Sequence, residues 1–231
     1  MNIKITKEEH QKLLEHEVSS RITVGSHMYG TNTENSDHDM VCFYSEEVLG
    51  VSRDLYLQGV DVSHVFQYDC HESNSQFIWT TYEQFFRNIF SGDSVLFLEA
   101  WIWGFKEHRP DLVSEIRTYN ILKCILGFVK RDLKYLKTSK DKGNRQHHIE
   151  RGLYMAEKIL NKHVPIISDI KGLPDDRPKE QMKEHRETLK KQLTNQYQNG
   201  NIKKYPVRNF NVNSLCKKLL DGMNTKEFTY G

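Results

Sequence analysis

The stretch that decides the reading is RITVGSHMYGTNTENSDHDMVCFY, Arg21 to Tyr44. It opens on a β-type run, Ile22-Thr23-Val24. The chain then breaks at Gly25-Ser26 and turns through Gly30-Thr31 before a polar segment, Asn32 to Ser36. Two carboxylates one residue apart, Asp37 and Asp39, lead straight into the apolar run Met40-Val41-Cys42-Phe43-Tyr44. On a strand, residues i and i+2 face the same way, about 6–7 Å apart. Two acids so placed repel one another unless a cation lies between them. Their oxygens suit a hard divalent ion such as Mg²⁺. Upstream, the Gly25-Ser26 turn can offer backbone N–H groups to a phosphate. The plainer account is a β-hairpin with a solvated acidic turn, which leaves the shared face of the two acids unexplained.

The chain has 231 residues, room for one large domain or two small ones. High charge is offset by long apolar runs, so a packed core is expected rather than disorder. A net charge of +2 says little about nucleic acid, although Lys and Arg gather between Lys123 and Lys218. Cys42, Cys70, Cys124 and Cys216 have no CxxC spacing and read as reduced thiols of a cytoplasmic protein. The first ten residues are polar, which argues against a signal peptide, and no apolar stretch is long enough for a membrane span.

Along the chain, Thr6 and Glu9 have the capping-box spacing, so a helix is predicted from Lys7 to Val18. Strands follow at Arg21–Val24 and Met40–Tyr44, the second interior to its sheet because it is apolar on both faces. Asp54–Gln58 is ambiguous. Val62–Tyr68 and Gln76–Tyr82 read as a hairpin around the polar Asp69–Ser75. Helical spacing then takes over. One helix carries Phe85, Phe86, Ile89 and Phe90 and stops at Gly92. A second, Val95–Trp103, is capped by Asp93 or Ser94. Its aromatic stripe of Phe97, Trp101 and Trp103 reads as core rather than as a base-stacking platform. Pro110 opens a further helical region. Ile116–Leu136 and Arg145–His163 form an αα-hairpin. Val164–Pro178 reads as a linker, Lys179–Gln196 as a charged helix, Val212–Met223 as a last short helix, and the tail from Asn224 as frayed.

The order Gly25, Ser26, Gly30, Ser36, Asp37, Asp39 between two strand-like runs resembles the polymerase-β-type nucleotidyltransferase superfamily. It is similar above all to a branch of predicted phage and bacterial members with a GS…SDxD motif. The run from Phe85 to Glu99 resembles the helix-turn-helix that follows the catalytic sheet in that branch. His148, Arg151, Gly152, Leu153 and Tyr154 match its His-x-x-Arg-Gly-Leu-Tyr helix. The resemblance implies an α+β fold: a small mixed β-sheet nucleotidyltransferase core with flanking helices at residues 1–105, then an α-helical bundle at residues 106–231 packed on it. It implies Mg²⁺ or Mn²⁺ on Asp37 and Asp39, and an NTP whose phosphates meet Gly25 and Ser26. Lys142, His148 and Arg151 would be further nucleotide or acceptor contacts. NMP would pass to an unidentified acceptor, RNA, protein or a small molecule.

The family also places a third carboxylate on a later strand, near residues 75–77. Here Gln76, or Asn74, stands instead. Activity is then lost, or one metal with Gln76 as neutral ligand suffices, or another acid (Asp69, ahead of Asp61 and Glu72) fills the gap. The alternative function is a catalytically degenerate, NTP-binding or antitoxin-like regulatory module. Three other readings carry less. Adjacent His147 and His148 face apart on a helix and do not make a metal site. The basic run Lys130, Arg131, Lys134, Lys137, Lys140, Lys142 reads as a solvated face before a nucleic-acid surface. Two acids on one strand face do not suit glycoside hydrolysis.

Overall fold

A computed structural model describes residues 3–15, 17, 21–34, 36–44, 65–104, 117–136 and 142–204. The expectations for Asp54–Gln58, Asp61, Val212–Met223 and the tail lie outside these residues. The fold is α+β and divides into two compact units. Residues 1–87, 99–105 and 211–231 make the first; residues 88–98 and 106–210 make the second.

The first unit is built on a five-stranded mixed sheet. Its strands are β1 (Ile3–Lys4), β2 (Ile22–Val24), β3 (His38–Phe43), β4 (Phe66–Cys70) and β5 (Ser75–Thr80), in the order β1-β4-β5-β3-β2. Strand β3 has a neighbour on each side, parallel β5 and antiparallel β2. It starts two residues earlier than its apolar run predicts, so Asp39 lies inside the ladder. Strand β1 has no sequence signal of its own; it is two residues paired parallel to β4.

Helix α1 (Lys7–Glu15) begins as expected. The Thr6 backbone N–H donates to Glu9 Oε2 at 2.7 Å, and the Glu9 N–H donates to Thr6 Oγ1 at 3.3 Å. It ends before the predicted Val18, because Glu17 is already bridged to Tyr44 in antiparallel fashion. Strand alternation sends Met40, Cys42 and Tyr44 to one face, where they pack with Ile5, Leu13, Phe66 and Trp79. His10 is buried there, stacked on Tyr68 with ring centroids 4.2 Å apart and accepting a 3.0 Å hydrogen bond from Trp79 Nε1.

Val41 and Phe43 serve the opposite face. Phe43 meets Phe85 edge-on at 5.2 Å, and Phe86 meets Trp101 at 5.8 Å. These rings belong to α3 (Tyr82–Ser91) and α4 (Val95–Gly104). Tyr29 is buried in the same unit, its hydroxyl donating to the buried carboxylate of Glu99 and its ring edge-on to Trp103. The aromatic stripe of α4 is therefore core, as its spacing predicts.

In the second unit, the turn after α3 is closed by the Asp93 N–H donating to Asn88 O at 2.9 Å. Ser94 caps α4, its Oγ accepting from the Phe97 N–H at 3.1 Å. Helices α5 (Tyr119–Tyr135), α6 (Lys142–Leu160) and α8 (Lys179–Gln198) pack on one another. The core they enclose includes Ile121, Ile125, Val129, Ile149, Leu153, Ala156, Met182 and Leu189, each at most 2 % exposed. Gly152 lets α5 and α6 approach closely: a Cβ there would lie 2.5 Å from Val129 Cγ2. Helix α6 stops three residues short of the predicted His163, where Lys162 takes a positive φ of 63°. The expected linker contains a short helix, α7 (Ile167–Ile170). Tyr154 holds it, donating to Asp169 Oδ2 at 2.7 Å and accepting from the Ile166 N–H at 2.9 Å.

Among the described residues, no helix is long and apolar enough to cross a membrane. Cys42, Cys70 and Cys124 are free thiols, Cys42 buried; Cys216 lies outside the described residues.

Candidate functional site

Strand β2 ends at Val24, and the chain turns at once into a short helix, α2 (Gly25–Tyr29), where the sequence predicts an open turn. Gly25 makes this turn at φ 69°. Its backbone sits against the Asp39 carboxylate, because Val24 and Asp39 are register partners across β2 and β3. A Cβ on residue 25 would come within 2.9 Å of Asp39 Oδ2. Glycine is thus required twice, for the backbone angle and for the approach of the carboxylate. Ser26 is half-buried on the first turn of α2.

Asp37 is exposed one residue before β3, and Asp39 is half-buried within it. Burial pushes the Asp39 pKa up to about 6, and the charge on Asp37 pushes the same way, with a smaller push from Asp69; His27 opposes them. Two histidines that sequence reasoning passed over stand here. The rings of His27 and His38 lie 4.7 Å apart; His38 Nε2 is 3.2 Å from Thr23 Oγ1, and His27 Nε2 is 3.4 Å from the Ser36 carbonyl. Their signal was adjacency: His27 follows Gly25-Ser26, and His38 separates the two acids.

Register aligns the proposed third-ligand residues with this pair. Asp39 on β3 is opposite Gln76 on β5, and Gln76 is opposite Asp69 on β4. Directly opposed residues share a sheet face. Gln76 Nε2 donates to Asp69 Oδ1 at 3.0 Å, so Oε1 is the atom of that amide left to serve a cation. Asp69 is heavily engaged. Gln67 Nε2 donates to Oδ1 at 2.8 Å, and Lys4 Nζ lies 2.7 Å from Oδ2. The Gln67 and Lys4 bonds, with Gln76 assisting, hold its pKa down at about 2. Lys4 was missed because its strand is too short to show a period. Asn74 sits in the turn before β5 at φ 46°, outside the ladder.

The hard oxygens of Asp37 and Asp39 fit a divalent cation in kind, and the raised Asp39 pKa marks a place where added positive charge is favourable. They fall short in number: among the described residues, no group of three or more His, Cys, Asp and Glu side chains could hold a metal ion.

Lys142, His148 and Arg151 belong to the helical unit. Lys142 opens α6, and its side chain lies outside the described residues. His148 Nδ1 is 3.8 Å from Asp132 Oδ2, and Arg151 is buried. Burial, followed by Arg151 and other nearby positive groups, lowers the His148 pKa to about 4.

Comparison with models of protein families, with characterised proteins and with solved structures found no match for this chain.

Proposed function

We propose that the sheet unit is a divalent-cation-dependent nucleotidyltransferase site that moves NMP from an NTP to a hydroxyl acceptor. The observation that carries this reading is the seating of the Asp39 carboxylate against Gly25, with Asp37 beside it. A half-buried acid with a second acid beside it, next to a glycine turn, is costly when empty and favourable when a cation and a polyphosphate are present.

Asp37 and Asp39 are the residues that would hold Mg²⁺ or Mn²⁺, which when bound supplies neutralising charge to the triphosphate. The backbone at Gly25 and Ser26 would bind and orient phosphate oxygens. The acceptor hydroxyl forms a bond to the α-phosphorus, the bond from that phosphorus to the bridging oxygen breaks, and pyrophosphate departs with its electron pair. The acceptor proton passes to water.

A second reading has its own support: a module that binds NTP without transferring it. At the position opposite Asp39 stands an amide already bonded to Asp69. A neutral side chain there neither bridges a second metal nor takes a proton.

Thermal melts with NTP and Mg²⁺ test the shared part. Stabilisation is expected in the native chain and is expected to vanish in Asp37→Ala together with Asp39→Ala. No shift in the native chain overturns both readings. Label transfer from α-³²P-NTP in a lysate separates them, since binding without transfer favours the module.

A further inference from the structure

We propose that Tyr29 and Glu99 are positioning residues: their buried hydrogen bond holds the Gly25-Ser26 turn in the orientation that phosphate binding uses. The inference rests on the reading of that turn as the NTP-phosphate contact, and it assigns the side chains that fix it. Both residues belong to the first unit.

Helix α2 is five residues long, and Val24 before it makes no side-chain capping bond. A helix that short does not hold its shape alone, because too few backbone bonds form to offset the ordering of its residues. Its placement comes from outside. At its first residue, the Gly25 backbone lies against the Asp39 carboxylate. At its last, the Tyr29 hydroxyl donates to Glu99 Oε2, and the Tyr29 ring meets Trp103 edge-on at 5.5 Å. Gly30 then closes the helix at φ 64°, its N–H donating to His27 O at 3.3 Å. The Thr31 N–H donates to Ser26 O at 3.0 Å, which ties Ser26 to the end that Tyr29 anchors.

Glu99 is the unusual partner. It is 2 % exposed, and among the described residues of the first unit no other Asp or Glu is as deeply buried. Taking a carboxyl group out of water is costly, and an apolar pair would fill the same space at lower cost. What the acid adds is direction. A carboxylate oxygen accepting from a phenol fixes the tip of the ring at one point, whereas apolar packing lets it slide. The two ends of α2 also differ in kind. In the proposed reaction the cation takes up Asp39, the group at the Gly25 end. Glu99 lies on α4, in the core with Tyr29 and Trp103, so its hold on α2 does not change when the cation arrives.

Two readouts on the full chain test it. The first needs no ligand: native-state amide hydrogen exchange. In Tyr29→Phe, which keeps the buried ring, the Gly30 and Thr31 amides are expected to exchange about tenfold or more faster, the size of one lost charge-assisted bond. The Tyr44 amide, which donates to Thr80 O at 3.2 Å, is expected to keep its native rate. In Glu99→Gln, whose amide oxygen still accepts from Tyr29, all three rates are expected to stay native. The second readout is the melting temperature against each of the four NTPs with Mg²⁺. Half-saturation is expected to move up about threefold or more in Tyr29→Phe, since a turn held in one orientation binds at less cost than one that must be ordered. It is expected to stay native in Glu99→Gln. Unchanged Thr31 exchange in Tyr29→Phe overturns the proposal. So does equal acceleration at Tyr44, which would mark a bond that merely stabilises the fold, and so does a native NTP response in Tyr29→Phe. If the native chain answers none of the four NTPs, the nucleotidyl-transfer reading fails and takes the phosphate role with it; Thr31 exchange then still decides whether Tyr29 and Glu99 hold α2.

Discussion

The backbone of Gly25 and the carboxylate of Asp39 occupy space that a single added methyl would contest, at 2.9 Å from Oδ2. Gly25→Ala therefore meets two penalties, a positive φ of 69° and that contact. The expected cost is about 1–2 kcal/mol of folding stability, read from urea unfolding. Asp39→Ala in the same background should recover the part due to the contact and leave the part due to φ. Full additivity of the two variants would show that the residues do not touch.

His10 gives a pH dependence with a definite sign. Burial lowers its pKa to about 4, and its Nδ1 accepts from Trp79 Nε1. A histidine whose folded pKa lies below its unfolded value of 6.5 contributes stability above pH 6.5 and loses it as pH falls toward 4. The loss is expected to reach roughly 3 kcal/mol. Unfolding free energies measured from pH 7 to pH 4 should fall less steeply in His10→Phe than in the native chain. Parallel curves would remove His10 as the cause.

Gly152 is the contact point of α5 and α6, with Val129 Cγ2 2.5 Å from where a Cβ would stand. Gly152→Ala gains helix propensity but must displace a helix that has nowhere to go. A net loss of about 1–3 kcal/mol is expected. Val129→Ala should relieve it, and a double-mutant cycle measures the coupling.

Gln76 lies between Asp39 and Asp69 in the ladder. Gln76→Glu would put three carboxylates in one row and strip Asp69 of an amide donor. In metal-free buffer the variant is expected to melt lower than the native chain. With Mn²⁺ it is expected to gain more stability than the native chain does. An equal response to Mn²⁺ in both would show that residue 76 does not face the cation.

Much of this protein can be read locally. The capping box at Thr6 and Glu9, the Ser94 cap, the α5–α6 hairpin and the apolar β3 are set by neighbours within a few residues, and short-range physics is legible in a sequence. So are the two acids, because Asp37 and Asp39 are two residues apart at a strand's start. The alignment of Asp39, Gln76 and Asp69 is of another kind. It depends on the register of three strands, and register is fixed by how a buried face packs, not by any one segment. The hold of Lys4 on Asp69, 65 residues away, comes from a two-residue strand with no period to detect. The same reason hides the approach of Arg145 to Asp132, which comes from the packing of α6 on α5. By itself the sequence determined that a glycine turn precedes two acids, two residues apart, at the start of an apolar strand. Tertiary structure alone decided what faces them, because side chains distant along the chain are brought together by packing, and packing is a property of the whole core.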